Sequence, residues 1–143
     1  MPANQPDTPV RRIFDMAFNQ GNFAILEELL RPDSLVNIPA WGLPSNRTGL
    51  KLFIASLRTA LPDLHCTIED EVLEAGKLAA HWTMRGSHQG PFLGNPPSGK
   101  SVEVQGTLFA RTLEGLIVEL WVQLDQMSIL QQLGIVPPTG GGI

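Results

Sequence analysis

Several residue types and patterns that often reveal a function are scarce or missing in this chain of 143 residues. It has one cysteine, Cys66, so no internal disulfide can form, and its three histidines lack metal-ligand spacing. Tyrosine is absent, which removes the phenol as an oxyanion donor. No apolar run approaches the roughly 18 residues that span a bilayer. The sequence therefore predicts no metal site and no membrane association.

Charge is neither strong nor clustered. The 14 acidic and 10 basic residues give a net charge of −4 and form no blocks. Phosphate binding needs a concentrated basic face, so no nucleic-acid partner is expected. The start MPANQPDTP lacks the basic and apolar regions of a signal peptide, which favours a cytoplasmic protein. The length suits one domain, expected over residues 8–136 between flexible segments at 1–7 and 137–143.

The first part of the chain predicts three helices. Thr8 followed by proline is a strong helix start, since the hydroxyl caps and proline tolerates the first turn. A second helix is expected from the cap Asn22 to a point before Pro32. Thr48 is the expected cap of a third, whose apolar residues follow the 3.6-residue period until Pro62.

Beyond these helices the apolar pattern changes to a period of two. A short strand is predicted before the third helix and four longer ones after it, over residues 35–38, 64–72, 78–89, 101–111 and 116–124. Short turns join the last four strands, which favours an antiparallel meander, and Asp125 can cap a final short helix. Helices followed by strands predict an α+β fold, with one curved sheet wrapped over helices and an apolar cavity between them.

Three stretches of the sequence resemble the SnoaL-like polyketide cyclase family, which includes ester cyclases and has the nuclear transport factor 2-like fold. They are PDLHCTIEDEVLEAGKLAAHWTMRGSHQGPFLGNPPSGK, EGLIVE at 114–119 and WVQLDQMSILQQLG at 121–134. The resemblance covers about residues 9–136. It implies a cone of three N-terminal helices on a curved, mainly antiparallel sheet, with a short C-terminal helix. It also implies cyclisation or isomerisation of a hydrophobic polyketide-like or aromatic molecule, without a cofactor.

The chain departs from this family at the residues that carry the chemistry. The family's acid/base aspartate on the last strand corresponds to Val122. Polar partners found nearby in the family correspond to Leu108 and Leu120. An aliphatic side chain cannot take or return a proton, so the resemblance implies the cavity but not its catalyst.

Two other residues are therefore the catalytic candidates. Asp125 is the carboxylate nearest to the vacant position, and it either reaches the cavity rim or only caps the last helix. His88 shares strand parity with Trp82 and Met84, the inward face, where it could act as a base near neutral pH. The alternative for His88 is a sheet-edge residue bonded to the loop that follows.

The remaining candidate residues are expected to bind the substrate or to contact a second subunit. Asn37 could hydrogen-bond a substrate carbonyl or only bond to backbone, and Trp41 could form a lid or only pack on the third helix. The inward apolar side chains that we expect to line the cavity are Trp82, Met84, Leu108, Leu120 and Val122. The opposite parity exposes large side chains, which favours a homodimer through Gln105, Phe109 and Trp121.

Two functions stay open on the sequence alone. One is a cofactor-independent cyclase or isomerase in which Asp125 or His88 moves the proton. The other is a non-catalytic protein that binds an apolar small molecule in the same cavity, whose wall is mostly dry.

Overall fold

A five-stranded sheet covered on one face by helices forms the described part of the protein. The structure is a computed structural model and describes residues 7–39 and 41–137. The flexible segments predicted at 1–7 and 137–143 lie outside these residues, apart from one residue of each. In chain order the elements are α1 (Pro9–Arg12), a π-helical segment (Ile13–Phe18), α2 (Ile25–Leu29), β1 (Leu30–Asn37), α3 (Arg47–Ala60), β2 (His65–Glu74), β3 (Lys77–Ser87), β4 (Ser101–Leu113), β5 (Leu116–Leu124) and α4 (Gln126–Gln132).

The strand order is β1-β5-β4-β3-β2. β1 runs parallel to β5, and the other neighbours are antiparallel. The α+β prediction with a mainly antiparallel sheet is confirmed. Tight turns at Ala75-Gly76 and Glu114-Gly115, with positive φ at all four residues, connect the hairpins.

The first helix begins as predicted and is anchored across the fold. The Thr8 hydroxyl accepts the N–H of Arg11 at 3.2 Å and donates to a Glu71 carboxylate oxygen at 3.0 Å. Glu71 also pairs with the Arg11 guanidinium at 2.9 Å. These contacts join the start of α1 to β2.

The second and third helices differ from the predictions at their ends. No side chain caps α2, and Leu30 already belongs to β1, which is longer than the predicted strand. Proline is tolerated in β1 because this is an edge strand, where a missing N–H breaks no ladder bond. Asn46, rather than Thr48, caps α3 by accepting the Gly49 N–H at 3.1 Å.

The concave face of the sheet packs against the helices through aromatic side chains. Trp82 is fully buried, and its ring centroid lies 5.1 Å from that of Phe14 and 5.8 Å from that of Phe18. On β4, Gly106 leaves room for the indole, since a Cβ there would lie 2.5 Å from the Trp82 ring. Strand alternation therefore places the predicted side chains inward along β3, β4 and β5.

The inward pattern fails at the end of β2. A strict period of two would place Val72 on the buried face with Cys66 and Ile68, but Val72 is 65% exposed. A register shift between Ile68 and Asp70 reverses the alternation beyond that point.

Cys66 is a buried edge-strand residue paired by a side chain. The Asn19 amide donates to the Cys66 carbonyl at 2.9 Å, and its oxygen accepts the Cys66 N–H at 2.7 Å. Burial raises the pKa of the Cys66 thiol from 9.0 to about 12. The thiol is thus neutral and shielded in the folded protein.

We predict that Cys66 reacts with thiol reagents only when the protein unfolds. Between pH 9.0 and about 12 the unfolded chain ionises this thiol and the folded protein does not. The free energy of unfolding should therefore fall as pH rises through this window, by up to about 1.4 kcal/mol per pH unit. Urea titrations of the wild type and Cys66→Ala should show this extra slope in the wild type alone. Rapid labelling of the native protein would contradict the assignment.

Candidate functional site

The interior between helices and sheet holds two apolar clusters that share no lining residue. We call the first the Val122 cluster, lined by Val10, Ile13, Phe14, Phe18, Leu50, Leu108, Leu120 and Val122. The second, the His88 cluster, is lined by Leu57, Ala60, Leu61, Met84, His88, Phe92, Val102, Ile129 and Leu133. Each encloses a void of about 10 Å³, which is no more than the room that one water molecule needs. The expected open cavity is therefore filled by side chains in this structure.

The Val122 cluster contains three of the side chains predicted to line the cavity, Leu108, Leu120 and Val122. Val122 lies directly across the sheet from Leu108, and Leu120 lies across from Ala110. All four side chains are buried. Trp82, which packs on two phenylalanines of this cluster, has a buried indole N–H without a hydrogen-bond partner among residues 7–39 and 41–137. The lining of this cluster is wholly hydrocarbon and supplies no group that transfers a proton.

His88 is the polar member of the other cluster, and the two nitrogens of its ring differ in their hydrogen bonding. It is 1% exposed and directly follows β3. Its Nδ1 accepts the Ser98 backbone N–H at 3.1 Å and lies 2.9 Å from the Ser98 hydroxyl. Because Nδ1 accepts a backbone N–H, the neutral ring carries its proton on Nε2. That Nε2 is buried and has no partner within the described part of the chain.

The connection from β3 to β4 holds His88 against the end of α3. The backbone N–H groups of Gln89 and Gly90 both donate to the Ala60 carbonyl, at 3.0 and 3.1 Å. These bonds satisfy an orphan carbonyl at the helix C-terminus. Gly90 lies so close that a Cβ there would sit 1.9 Å from the Thr59 carbonyl oxygen.

Asp63 fixes the strand end just before His88. Its carboxylate accepts the Ser87 backbone N–H at 2.7 Å and the Ser87 hydroxyl at 2.9 Å. The backbone bond, followed by the hydroxyl bond, lowers the pKa of Asp63 below its usual value. His88 is thus positioned from both sides, by the β3 end and by the loop.

Asp125 lines neither of the two clusters. Its carboxylate accepts the Ser128 N–H at 3.1 Å and so caps α4. The residue is exposed and borders an open groove of about 270 Å³ on the outer face, whose lining is His81, Gln105, Gly106, Thr107, Gln123, Leu124 and Asp125. The structure does not bring Asp125 and His88 to one cluster.

The two predicted substrate-binding residues near the third helix lie at the rim of the interior. Trp41 packs edge-on against Phe53 of α3, with ring centroids 5.0 Å apart, and against Phe92 of the His88 cluster at 5.9 Å. Asn37 ends β1 and lies opposite Trp121 of β5. Trp41 is therefore near the His88 cluster, whereas Asn37 is at the β1 edge of the sheet.

Sequence reasoning missed the contribution of the last helix and of the loop. Ile129 and Leu133 of the α4 region close the His88 cluster, and their i, i+4 spacing is an available signal. Ser98, which orients the imidazole, follows two prolines and carries no comparable signal.

Neither a metal site nor a membrane span is evident in the parts of the chain that the structure describes. Residues 7–39 and 41–137 contain no group of three or more His, Cys, Asp or Glu placed to hold a metal. No helix within the same ranges is long and apolar enough to cross a membrane.

The arrangement of helices and strands identifies the fold class of the protein. Helices on the concave face of a curved mixed sheet, with a short C-terminal helix, form a nuclear transport factor 2-like domain. The SnoaL-like polyketide cyclase model matches residues 8–133, and the chain belongs to that family. No curated protein matches it.

Solved structures support the same assignment. IdmH of Streptomyces antibioticus, assigned as a polyketide cyclase, is 30% identical, with a TM-score of 0.79 over 88% of this chain and 96% of IdmH. A protein of Jannaschia sp. CCS1, assigned as a SnoaL-like polyketide cyclase, is 23% identical, with a TM-score of 0.79 over 90% of this chain and 91% of that one. AclR of Streptomyces galilaeus, assigned as a hydroxylase, is 22% identical, with a TM-score of 0.80 over 93% of this chain and 83% of AclR. The last two similarities are in the fold alone.

We predict that Gly90→Ala destabilises the protein and disturbs His88. The added methyl would collide with the Thr59 carbonyl, so the loop must move off α3, at a cost of about 2 kcal/mol or more. Gly94→Ala is the control, because it has open space and only its positive φ is strained. Urea unfolding should show a larger loss for Gly90→Ala, together with shifted NMR signals of the His88 ring. Equal losses in both variants would contradict this account.

Proposed function

We propose that this protein is a cofactor-independent cyclase or isomerase for a hydrophobic polyketide-like or aromatic small molecule. Membership of the SnoaL-like polyketide cyclase family supports the reaction class. The observation that carries the proposal is His88, a buried imidazole in an otherwise apolar cluster, whose Nε2–H has no hydrogen-bond partner among the described residues. A polar group held in a water-poor site acts on charge that develops in a transition state far better than it would in water.

His88 is favoured over Asp125 as the group that acts on substrate. Asp125 is exposed and occupied as a helix cap, whereas His88 is buried among apolar side chains. Its Nε2–H would donate to the carbonyl oxygen under attack and stabilise the alkoxide that forms there as the ring closes. The α-proton of the attacking carbon would leave to water, and water would return a proton to the alkoxide. Confining a flexible chain in a reactive conformation adds several kcal/mol of barrier lowering. Trp41, Met84 and Trp82 would contact the apolar body of the substrate, and Asn37 would bind at the β1 edge.

A binding protein without catalysis is the second candidate. The observation in its favour is the Val122 cluster, where aliphatic side chains fill the position of the family's acid/base residue. Leu108, Leu120 and Val122 would then serve only as a dry wall for an apolar ligand.

Substitution of the two candidates tests the proposal. Aryl-substituted δ-diketones can close to cyclohexenones, and the conjugated product is followed by absorbance. We expect His88→Phe to lower the rate about a hundredfold or more, the usual effect of losing one such donor. Asp125→Asn should keep the rate, and it should also keep stability because asparagine caps helices as well as aspartate does.

Two other results would change the conclusion. Loss of turnover in Asp125→Asn, with stability intact, would assign the proton transfer to Asp125. Diketones that bind by calorimetry to the wild type but are never converted would support the binding function. Circular dichroism shows whether His88→Phe is folded. If it is not, Ser98→Ala takes its place, because this change removes the hydroxyl beside Nδ1 and keeps the imidazole.

We also propose a homodimer through the outer sheet face. Trp121 is 41% exposed and lies directly across from Phe109, while Gln105 lies further along β4 on the same face. Arg111 lies over the Phe109 ring at 5.2 Å and pairs with Glu119 at 3.0 Å. Together these residues make an apolar surface bordered by paired charges, which suits a contact between copies.

Trp121→Glu should weaken self-association at least tenfold, because it places a new charge in the proposed contact. Sedimentation velocity over a concentration series measures the change. Leu113→Glu is the matched control, since Leu113 is also a large exposed apolar residue, at 52%, but lies at the β4–β5 turn. An unchanged sedimentation profile for Trp121→Glu would exclude this face.

A further inference from the structure

The outer face of the sheet carries an open groove that the proposed reaction does not use. It has a volume of about 270 Å³ and is lined by His81, Gln105, Gly106, Thr107, Gln123, Leu124 and Asp125. Unlike the two interior clusters, it admits a molecule without any movement of the protein. Its volume lies just below the range of pockets for drug-sized ligands, so the groove suits a smaller molecule.

Four neutral polar side chains are spread across this groove by the register of the strands. His81 of β3, Thr107 of β4 and Gln123 of β5 are direct cross-strand neighbours. Because neighbouring strands lie about 4.8 Å apart, these three residues form a row about 10 Å wide. Gln105 precedes Thr107 by two residues on the same strand and face, at a distance of about 7 Å. The polar groups are therefore distributed in two directions around Thr107.

Most of the hydrogen-bonding capacity of these side chains is unused. Among the described residues, one bond joins two of the four, between His81 Nε2 and Gln105 Oε1 at 3.3 Å. An amide oxygen only accepts, so Nε2 carries the proton, His81 Nδ1 remains an acceptor and the Gln105 amide N–H groups remain donors. The Thr107 and Gln123 side chains make no hydrogen bond within the described part of the chain.

The composition of the groove favours an uncharged molecule with several hydroxyl groups. The described residues that line it include no lysine or arginine, and the Asp125 carboxylate repels anions. Leu124 is the one large apolar residue of this lining, so an apolar ligand would displace water and leave the amides without partners. A hydroxyl group both donates and accepts, which matches the mixture of free donors and acceptors described above.

We propose that this groove binds a sugar of one ring. The ring lies over Thr107, and its hydroxyl groups bond the four neutral side chains that surround the centre of the groove. Phe109 and Trp121 occupy the next cross-strand row and form an apolar border beside the C–H groups of the ring. The site is separate from the interior and does not rest on the proposed reaction.

Titration with simple sugars tests this site. Protein labelled with ¹⁵N at glutamine is titrated with the methyl glycosides of glucose, galactose and mannose, and the side-chain amides are followed by NMR. We expect at least one glycoside to shift the Gln105 and Gln123 signals, with a Kd of about 1 mM. Its fully O-methylated derivative keeps the ring but has no O–H donor. This derivative should bind at least tenfold more weakly, the effect of losing more than one neutral hydrogen bond.

Two variants of the lining remove one partner each. Gln123→Ala and Thr107→Val should weaken glycoside binding about fivefold and leave the fold intact, because both side chains are exposed. Gln20→Ala is the matched control, since Gln20 is an exposed glutamine in the turn after the π-helical segment and does not line the groove. Equal affinities in Gln123→Ala, Thr107→Val and the control would overturn the site.

The remaining outcomes are also decisive. Unshifted Gln105 and Gln123 amide signals with all three glycosides would overturn the inference, and so would equal binding of a glycoside and its O-methylated derivative. The groove shares Gln105 with the proposed dimer face, so a bound glycoside should lower self-association in sedimentation velocity. Unchanged self-association together with shifted Gln123 signals would support the sugar site and reject the dimer at this face.

Discussion

The aromatic packing on Trp82 is the constraint on which the rest of the structure depends. The indole lies on the concave face of the sheet, is fully buried, and is contacted by Phe14 and Phe18 from the π-helical segment. Only glycine at position 106 leaves space for the indole on the neighbouring strand. Each aromatic side chain contributes a large apolar area, so this group holds the helices to the sheet. It also fills the centre of a fold that would otherwise be hollow.

Filling the interior changes where chemistry can take place. Val122, which the family resemblance aligns with an acid/base aspartate, is enclosed by hydrocarbon. A carboxylate placed there would be desolvated without a partner, which is unfavourable by several kcal/mol. That cluster supplies no polar side chain. His88, which directly follows β3, is a buried imidazole in the other cluster. The neighbouring loop, held on α3 by two bonds to Ala60, gives the ring its orientation.

A closed interior and a function that needs a ligand are compatible only if some part of the wall moves. Folded proteins open locally at far lower cost than they unfold, and short elements with few contacts open first. The wall of the Val122 cluster includes the long helix α3 and the centre of the sheet, whereas the His88 cluster is closed in part by seven-residue α4. The His88 cluster is thus the one of the two whose wall includes a short helix.

The sequence by itself determined the α+β class, the meander and the side of the sheet on which each of β3, β4 and β5 buries its residues. These follow from local periodicity, capping residues and turn chemistry. It did not determine the ends of α2 and β1, because the pairing of Leu30 with β5 outweighs local helix preference. Only the tertiary structure decided that Val72 faces outward, that Asp125 and His88 lie apart, and that Ser98 orients the imidazole. Such facts depend on a bulge, on strand register and on contacts between distant segments, which no local pattern encodes.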